Sequence, residues 1–346
     1  MASRRAALRG RGTQQHQPWP SGPPPSAVIE AVRTLEVSIS RRVDGTLHGN
    51  YQGITPGHGS EPGESRVYQP GDDVRRIDWN VTARTAETYV RDQIADRDLE
   101  AWLVVDVSAA MRFGTTTSQK SQIGLAAAAC VGFLTVRTRN SIGAVLVAGP
   151  HLKIMPPRGG RDQVRAILTA AASPPQSERL GRADLSAAID RVAKLSRRRG
   201  FVTVIADFPV RPPVGRRGGD GDGAGEPAAE WADALTRLGL RHDVLTIPVH
   251  DPRERDVPPI GLVTLTDPAT GREREVRVTA EVQRRFAEVA ARAAVHQRLL
   301  LDRAGADVIE LDTESDWLAE IIGHVRRRRV QAVNVAALRR PAGRPR

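Results

Sequence analysis

Short, dense apolar runs punctuate the chain. Ala101-Trp102-Leu103-Val104-Val105 is continuous and ends in Asp106. Phe201 to Ala206 is a second such run, and it ends in Asp207. Ser141 to Ala148 lies between them in sequence. Runs of this length without alternation read as strands covered on both faces, because a strand with one wet face would alternate. Between the runs the apolar positions change to helical spacing. Ile123, Ala126, Ala127, Cys130, Val131 and Leu134 mark one face of a helix from about Lys120 to Thr138, with Ser118 as its cap. Gly159-Gly160 introduces a helix through Val164, Ile167 and Leu168. Further helices are expected over Leu185 to Leu195, Trp231 to Leu238 and Glu281 to Leu301.

Leu152 to Met155 and His242 to Val249 read as strands, and Asp307 to Leu311 as a short last one. Leu262 to Leu265 and Glu275 to Val278 flank Asp267-Pro268-Ala269-Thr270-Gly271, a hairpin signal. Thr313 and Asp316 form a capping-box-like start for a final helix through Trp317, Leu318, Ile321 and Ile322. The alternation of strands and helices predicts an α/β fold, doubly wound around a mostly parallel sheet. In such sheets ligands sit at the carboxyl ends of the strands.

Ahead of Glu100 the pattern weakens. Residues 1–26 are Arg, Gln, Ser, Gly and Pro, a basic tail expected to lack fixed structure. A short helix follows from Ser26 through Val28, Ile29, Val32, Leu35 and Val37. Residues 41–80 are turn-rich, so segment 27–99 is expected to lie packed on a main domain spanning 100–330, with the hairpin near 262–278 and a basic tail at 331–346. The Pro/Arg/Gly/Asp stretch 209–226 reads as a mobile loop.

Composition changes this picture little. Aromatics are 4%, so the core rests on Val, Leu, Ile and Ala. The single cysteine, Cys130, excludes an internal disulfide and a cysteine-cluster metal site, and its place on an apolar helix face suggests an inert buried thiol. Charge changes it more. The net charge is +11, but twelve arginines lie at the two ends, from Arg4 to Arg11 and from Arg326 to Arg346; without them the body is near −1. Basic ends attract polyanions weakly, whereas a near-neutral body without an aromatic-basic platform argues against a nucleic-acid reader. Arg326 to Arg329 at a helix end would favour such binding, or would simply suit a helix C-terminus. Lysine is confined to Lys120, Lys153 and Lys194, which reads as a compositional habit. Ser121 to Val136, the longest uncharged apolar stretch, is too short to span a bilayer. The N-terminal arginines precede no apolar core, so a cytoplasmic protein without a membrane partner is expected.

Catalytic constellations are not evident. The histidines are scattered, and His250 beside Asp251 resembles a turn more than a site. Gly57-His58-Gly59-Ser60 lacks the strand-to-helix context of a hydrolase elbow. No phosphate-binding Gly-x-x-x-x-Gly-Lys-Ser/Thr occurs, so no nucleotide is expected. The notable chemistry is the pair Asp106 and Asp207 with Ser108 two residues past the first, a set of hard oxygens suited to Mg2+. Aspartates that cap strand-to-loop turns would look the same.

Asp106-Val107-Ser108-Ala109-Ala110-Met111 resembles the first metal motif of von Willebrand factor A-type domains, Asp-x-Ser-x-Ser. A longer stretch is more specific. Arg66-Val67-Tyr68-Gln69-Pro70-Gly71-Asp72-Asp73-Val74-Arg75-Arg76-Ile77-Asp78-Trp79-Asn80, followed by Thr82-Ala83-Arg84, is similar to the signature of the DUF58 family. Val90-Arg91, Phe113-Gly114, Asp251-Pro252-Arg253-Glu254 and Leu265-Thr266-Asp267-Pro268 continue that pattern. The resemblance implies a sheet of von Willebrand factor A type and a non-enzymatic interaction module. It also implies an AAA+ ATPase partner of the MoxR type and a client protein of unknown identity, with a role in assembly or maturation of a complex. Alternatives are a nucleic-acid-associated protein binding through its basic tails and a divalent-metal-dependent hydrolase. The resemblance places metal ligands at Asp106, Ser108 and Asp207. The second serine position is Ala110 and the threonine position is Ala183, in Gly181-Arg182-Ala183-Asp184-Leu185, so two oxygens are lost and Mg2+ would bind weakly. Asp184 could compensate. In the signature itself, Asp72, Asp73 and Asp78 alternate with Arg75, Arg76 and Arg84, which suggests a salt-bridged clamp or a docking surface. Gly71 suits a turn after Pro70, and Trp79 is expected to pack this segment against the sheet.

Overall fold

The computed structural model describes residues 19, 25–46, 65–68, 77–85, 87–91, 99–115, 118–137, 140–175, 182–210, 229–267 and 272–338. In chain order the elements are α1 (Ser26–Thr46), β1 (Ser65–Val67), α2 (Trp79–Thr85), β2 (Tyr89–Arg91), β3 (Glu100–Asp106), α3 (Lys120–Val136), β4 (Ser141–Ala148), β5 (His151–Arg158), α4 (Arg161–Ala172), α5 (Leu185–Leu195), β6 (Phe201–Ala206), α6 (Glu230–Gly239), β7 (Asp243–His250), β8 (Gly261–Thr266), β9 (Glu273–Val278), α7 (Ala280–Arg303), β10 (Asp307–Val308), β11 (Leu311–Asp312) and α8 (Trp317–Leu338).

The main sheet runs β10-β7-β6-β3-β4-β5, with β11 also paired to β7. Its pairs are parallel except β4 with β5, an antiparallel edge. Pro156 and Pro157 fall on β5, where an edge strand tolerates a missing donor. Val104 is central, opposite Val145 on one side and Val204 on the other. The unbroken apolar runs are explained by the two layers. Ala101, Leu103 and Val105 face a core shared with α1, α3, α4 and α8. Trp102 and Val104 face the opposite core, shared with α5 and α6. This is the doubly wound, mostly parallel α/β fold that the pattern predicts.

Helix α3 is buried nearly all round, between the sheet and neighbouring helices. Its small residues permit that approach: a Cβ on Gly132 would lie 2.8 Å from Val164 Cγ1. Cys130 is fully buried within it, and desolvation raises its thiol to about 12, so it is inert as expected. Helix α1 closes this layer through Val32, Leu35 and Ile39. Glu36, 6% exposed, ties it to α4 by accepting from Arg165 Nε at 2.8 Å and Arg161 Nη1 at 3.0 Å.

Other elements differ from expectation. Helix α1 continues to Thr46, into the stretch read as turns. A small antiparallel ladder, β1 with β2, and the helix α2 occupy part of the signature segment. Their lengths, three residues per strand and seven in the helix, are below what periodicity can register. Trp79 does not pack inward; it is 69% exposed. Ahead of β3 the indole that packs is Trp19, which lies in the expected tail yet rests against the α4 side of the core and donates Nε1–H to the Ala170 carbonyl at 3.2 Å. Helix α8 runs to Leu338, so Arg326 to Arg329 lie inside the helix and not at its end. Gln119, not Ser118, precedes α3, and its N–H donates to Gln122 Oε1 at 2.9 Å. The hairpin is present as β8–β9, standing apart from the main sheet. Most of the 209–226 loop, and both chain ends, lie outside the described residues. Among the described residues no helix is long and apolar enough to cross a membrane.

Candidate functional site at the carboxyl end of the sheet

Parallel strands deliver their C-terminal residues to one edge. The β3–β6 register pairs Val105 with Ile205, which brings Asp106 and Asp207 to the same end of adjacent central strands. Asp106 is 2% exposed, and its Oδ1 accepts the Ser108 N–H at 2.8 Å, closing a turn. Its second oxygen, Oδ2, and the Ser108 hydroxyl are both buried without a hydrogen-bond partner. Burial, and then the charge of Asp207, push the Asp106 carboxyl up to about 7; the Ser108 N–H bond, the nearby Ser108 hydroxyl and the Lys120 charge oppose them. A carboxylate oxygen and a hydroxyl thus lie side by side in the buried turn at the carboxyl end of β3.

Asp207 is held by its own backbone. The next residue, Phe208, has φ of +47°, a left-handed conformation that bulky residues avoid. It is retained because the ring is fully buried, edge-on to Trp231 at 5.1 Å. Gln297 of α7 donates its side-chain amide to the carbonyls of Asp207 at 2.8 Å and Phe208 at 2.7 Å. Trp231 Nε1–H donates to the Pro209 carbonyl at 2.9 Å. The turn after β6 is thereby pinned from two helices.

Lys120, the first residue of α3, is 1% exposed and belongs to the same site. Its Nζ lies 2.6 Å from Glu254 Oε1 and 3.8 Å from Asp207 Oδ2. Glu254 sits in a short helical turn after β7, and its Oε2 accepts the Asp251 N–H at 3.0 Å. Asp251 is fully buried. Its carboxylate accepts from Thr115 N–H at 3.0 Å, Thr115 Oγ1 at 2.7 Å, Thr313 Oγ1 at 2.8 Å and Arg253 N–H at 2.9 Å. Burial alone would raise this carboxyl, but those bonds outweigh it and hold the group below the usual carboxylate range. Loops after β3, β7 and β11 are thus laced together around one lysine.

The sequence-derived candidates fall into three groups. Asp106, Ser108 and Asp207 meet as expected. Ala110 is buried in the turn Ala109–Arg112, and Ala183 packs on the α5 side of the core, so neither offers an oxygen. Asp184 is committed elsewhere: its Oδ1 caps α5 by accepting from Ala187 N–H at 2.9 Å. Pro70, Gly71, Asp72, Asp73, Arg75 and Arg76 lie outside the described residues. Of the remaining signature positions, Asp78 caps α2 by accepting the Asn80 N–H at 3.2 Å, and Tyr68 N–H donates to the Thr88 carbonyl at 2.7 Å. Arg84 is exposed in the last turn of α2. Thr313 does not cap α8 but bonds Asp251; Asp316 alone caps it, accepting from Ala319 N–H at 3.2 Å.

Sequence reasoning missed Lys120, Glu254, Asp251 and Gln297 as parts of this site. One signal was available: a lysine in a lysine-poor chain, opening an otherwise apolar helix. As a metal centre the donor set is incomplete. Among the described residues no cluster of three or more His, Cys, Asp or Glu is arranged to hold a metal ion.

What the fold and site define is an α/β domain with a polar, lysine-centred site at the carboxyl edge of its sheet. The model of the family described as "Protein of unknown function DUF58" matches residues 64–297, and the chain belongs to that family. Uncharacterized protein Mb1516 of Mycobacterium bovis is 41% identical over 301 residues, covering 86% of this chain and 89% of that one. Uncharacterized protein MAV169 of Mycobacterium avium is 33% identical over 51% of this chain and 94% of its own. Solved structures with some likeness include an aerotolerance-related membrane protein from Bacteroides fragilis, at 13% identity and a TM-score of 0.38 over 66% of this chain and 99% of that one. The PilB minor pilin D319A mutant from Streptococcus sanguinis follows, at 11% identity and 0.39 over 74% and 66%.

Proposed function

We propose that this chain is a non-enzymatic protein-interaction module of von Willebrand factor A type, which presents the carboxyl edge of its sheet to a partner. The partner in this reading is an AAA+ ATPase of the MoxR type, and the pair serves the assembly or maturation of a client complex. The observation that carries it is the site's combination of fixed geometry and unmet polar capacity. Asp106 Oδ2 and Ser108 Oγ are buried and unpartnered, beside a turn that Gln297 and Trp231 hold rigid. A preorganised polar edge recognises at low entropic cost, because little has to be ordered on binding.

Chemistry is disfavoured by the groups present. The Asp251 carboxylate is saturated by four donors, and Lys120 is engaged by carboxylates, so neither is free as a base or nucleophile. Any Mg2+ held by Asp106, Ser108 and Asp207 is weakly bound, because Ala110 and Ala183 contribute no oxygen. The test is capture of a MoxR-type AAA+ ATPase from the source organism by the tagged full-length protein, read by mass spectrometry. Recovery of the ATPase, diminished by Asp106→Ala, is expected. A chain that captures no such ATPase, or captures it equally well as Asp106→Ala, would overturn this reading.

A further inference from the structure

Lys120 stands where its type is least expected. A cation at the first position of a helix opposes the positive end of the helix dipole, and a 1% exposed ammonium has lost its hydration. It is held by Glu254 Oε1 at 2.6 Å, with Asp207 Oδ2 at 3.8 Å. Glu254 is itself fixed by the Asp251 N–H, and Asp251 by Thr115 and Thr313. Two carboxylates, those of Asp207 and Glu254, lie within 4 Å of the ammonium, and the buried Asp106 carboxyl is near enough to feel its charge. These are the surroundings of a cation site whose cation is covalently attached.

We infer that the Lys120 ammonium is the resident cation of this site, taking by charge the place of a divalent metal and keeping metal ions out. The oxygens argue for it. Magnesium requires close, near-octahedral oxygens. Here Ala110 and Ala183 supply none, and Asp207 is already engaged by the lysine. A second cation would also meet the Lys120 charge at close range, and like charges so placed disfavour binding. An internal ammonium compensates these carboxylates without needing any ion from solution. The inference uses the site of the proposed docking face but not its partner, and its test involves no partner.

Wild type, Lys120→Met and Lys120→Gln are titrated with Mn2+ by electron paramagnetic resonance and with MgCl2 by calorimetry. Each full-length protein is first confirmed folded by circular dichroism. The glutamine variant retains a polar donor toward Glu254 should methionine prevent folding. Removing the like charge should tighten Mn2+ binding by at least about tenfold over wild type, and adding Asp106→Asn to the same variant should abolish the gain. Equal Mn2+ affinity in wild type and a folded lysine variant would overturn the inference. So would saturable Mn2+ binding by wild type that Asp106→Asn removes, and this measurement stands even if neither lysine variant folds. Failure to capture the ATPase has no bearing on these titrations, so the two readings fail separately.

Discussion

The side-chain amide of Gln297 donates to the Phe208 carbonyl at 2.7 Å, joining helix α7 to the left-handed turn that carries Asp207. The turn would otherwise have two inward-facing carbonyls without donors, since the same amide serves Asp207 at 2.8 Å. Gln297→Leu should therefore lower stability by about 1–3 kcal/mol, the cost of leaving buried acceptors unmet. Hydrogen exchange of residues 207–210 should accelerate more than that of β3. A uniform change across the sheet would show that the residue acts only through general packing.

Asp106 should weaken the fold at neutral pH. Its carboxyl titrates near 3.8 when unfolded and at about 7 when folded, because burial and Asp207 disfavour the charge. The folded state thus holds a proton that the unfolded chain has released, and stability falls as pH rises through that window. Asp106→Asn removes the charge and keeps an oxygen for the Ser108 N–H. The variant should melt higher than wild type at pH 8, and the difference should shrink toward zero near pH 4, as seen by denaturation at stepped pH. A variant less stable than wild type at pH 8 would contradict this assignment of cost.

His250 acts in the opposite sense. Burial, then the charges of Arg255 and Lys120, push its imidazole from an ordinary 6.5 down to about 3. The unfolded chain takes up a proton that the folded chain refuses, so stability is complete above about 6.5 and declines on acidification toward 3. His250→Gln should flatten this acid limb in urea melts. The flattening should be clearest in the Asp106→Asn background, where the opposing slope of Asp106 is gone. An unchanged acid limb would place the titrating group elsewhere.

The fold was legible because burial on both faces leaves a direct trace in composition: the interiors of β3, β4 and β6 are apolar and non-alternating, with Thr203 the one polar residue inside them. The meeting of Asp106 and Asp207 followed from topology alone, since parallel strands end together. Glu254 and Asp251 were not legible as site residues, because their roles depend on a loop after β7 folding back toward Lys120 across 134 residues of sequence. Trp79 and Trp19 were misplaced for a related reason. Hydrophobicity says that an indole favours burial but not which of two indoles finds partners, and Trp19 gains both the Ala170 carbonyl and the Lys153 ammonium, 5.4 Å from its ring.

The Glu36 clamp should show the asymmetry of buried charges. Its carboxylate is 6% exposed, whereas the Arg161 and Arg165 side chains are about half exposed. Removing both arginines strands a buried charge, and removing Glu36 leaves cations that water can solvate. Arg161→Ala with Arg165→Ala should cost about 1–3 kcal/mol in urea unfolding, and Glu36→Gln distinctly less. The reverse order would show that the arginines contribute little beyond solvation.

The proposed docking is tested most directly by hydrogen exchange of the full-length chain with and without a MoxR-type AAA+ ATPase. New protection is expected at the carboxyl edge of the sheet, in residues 107–115, 207–210, 251–256 and 312–316. The opposite edge, around Asn140, Gly200 and His242, should be unchanged. Protection confined to that opposite edge, or to the β8–β9 hairpin and α7, would contradict it.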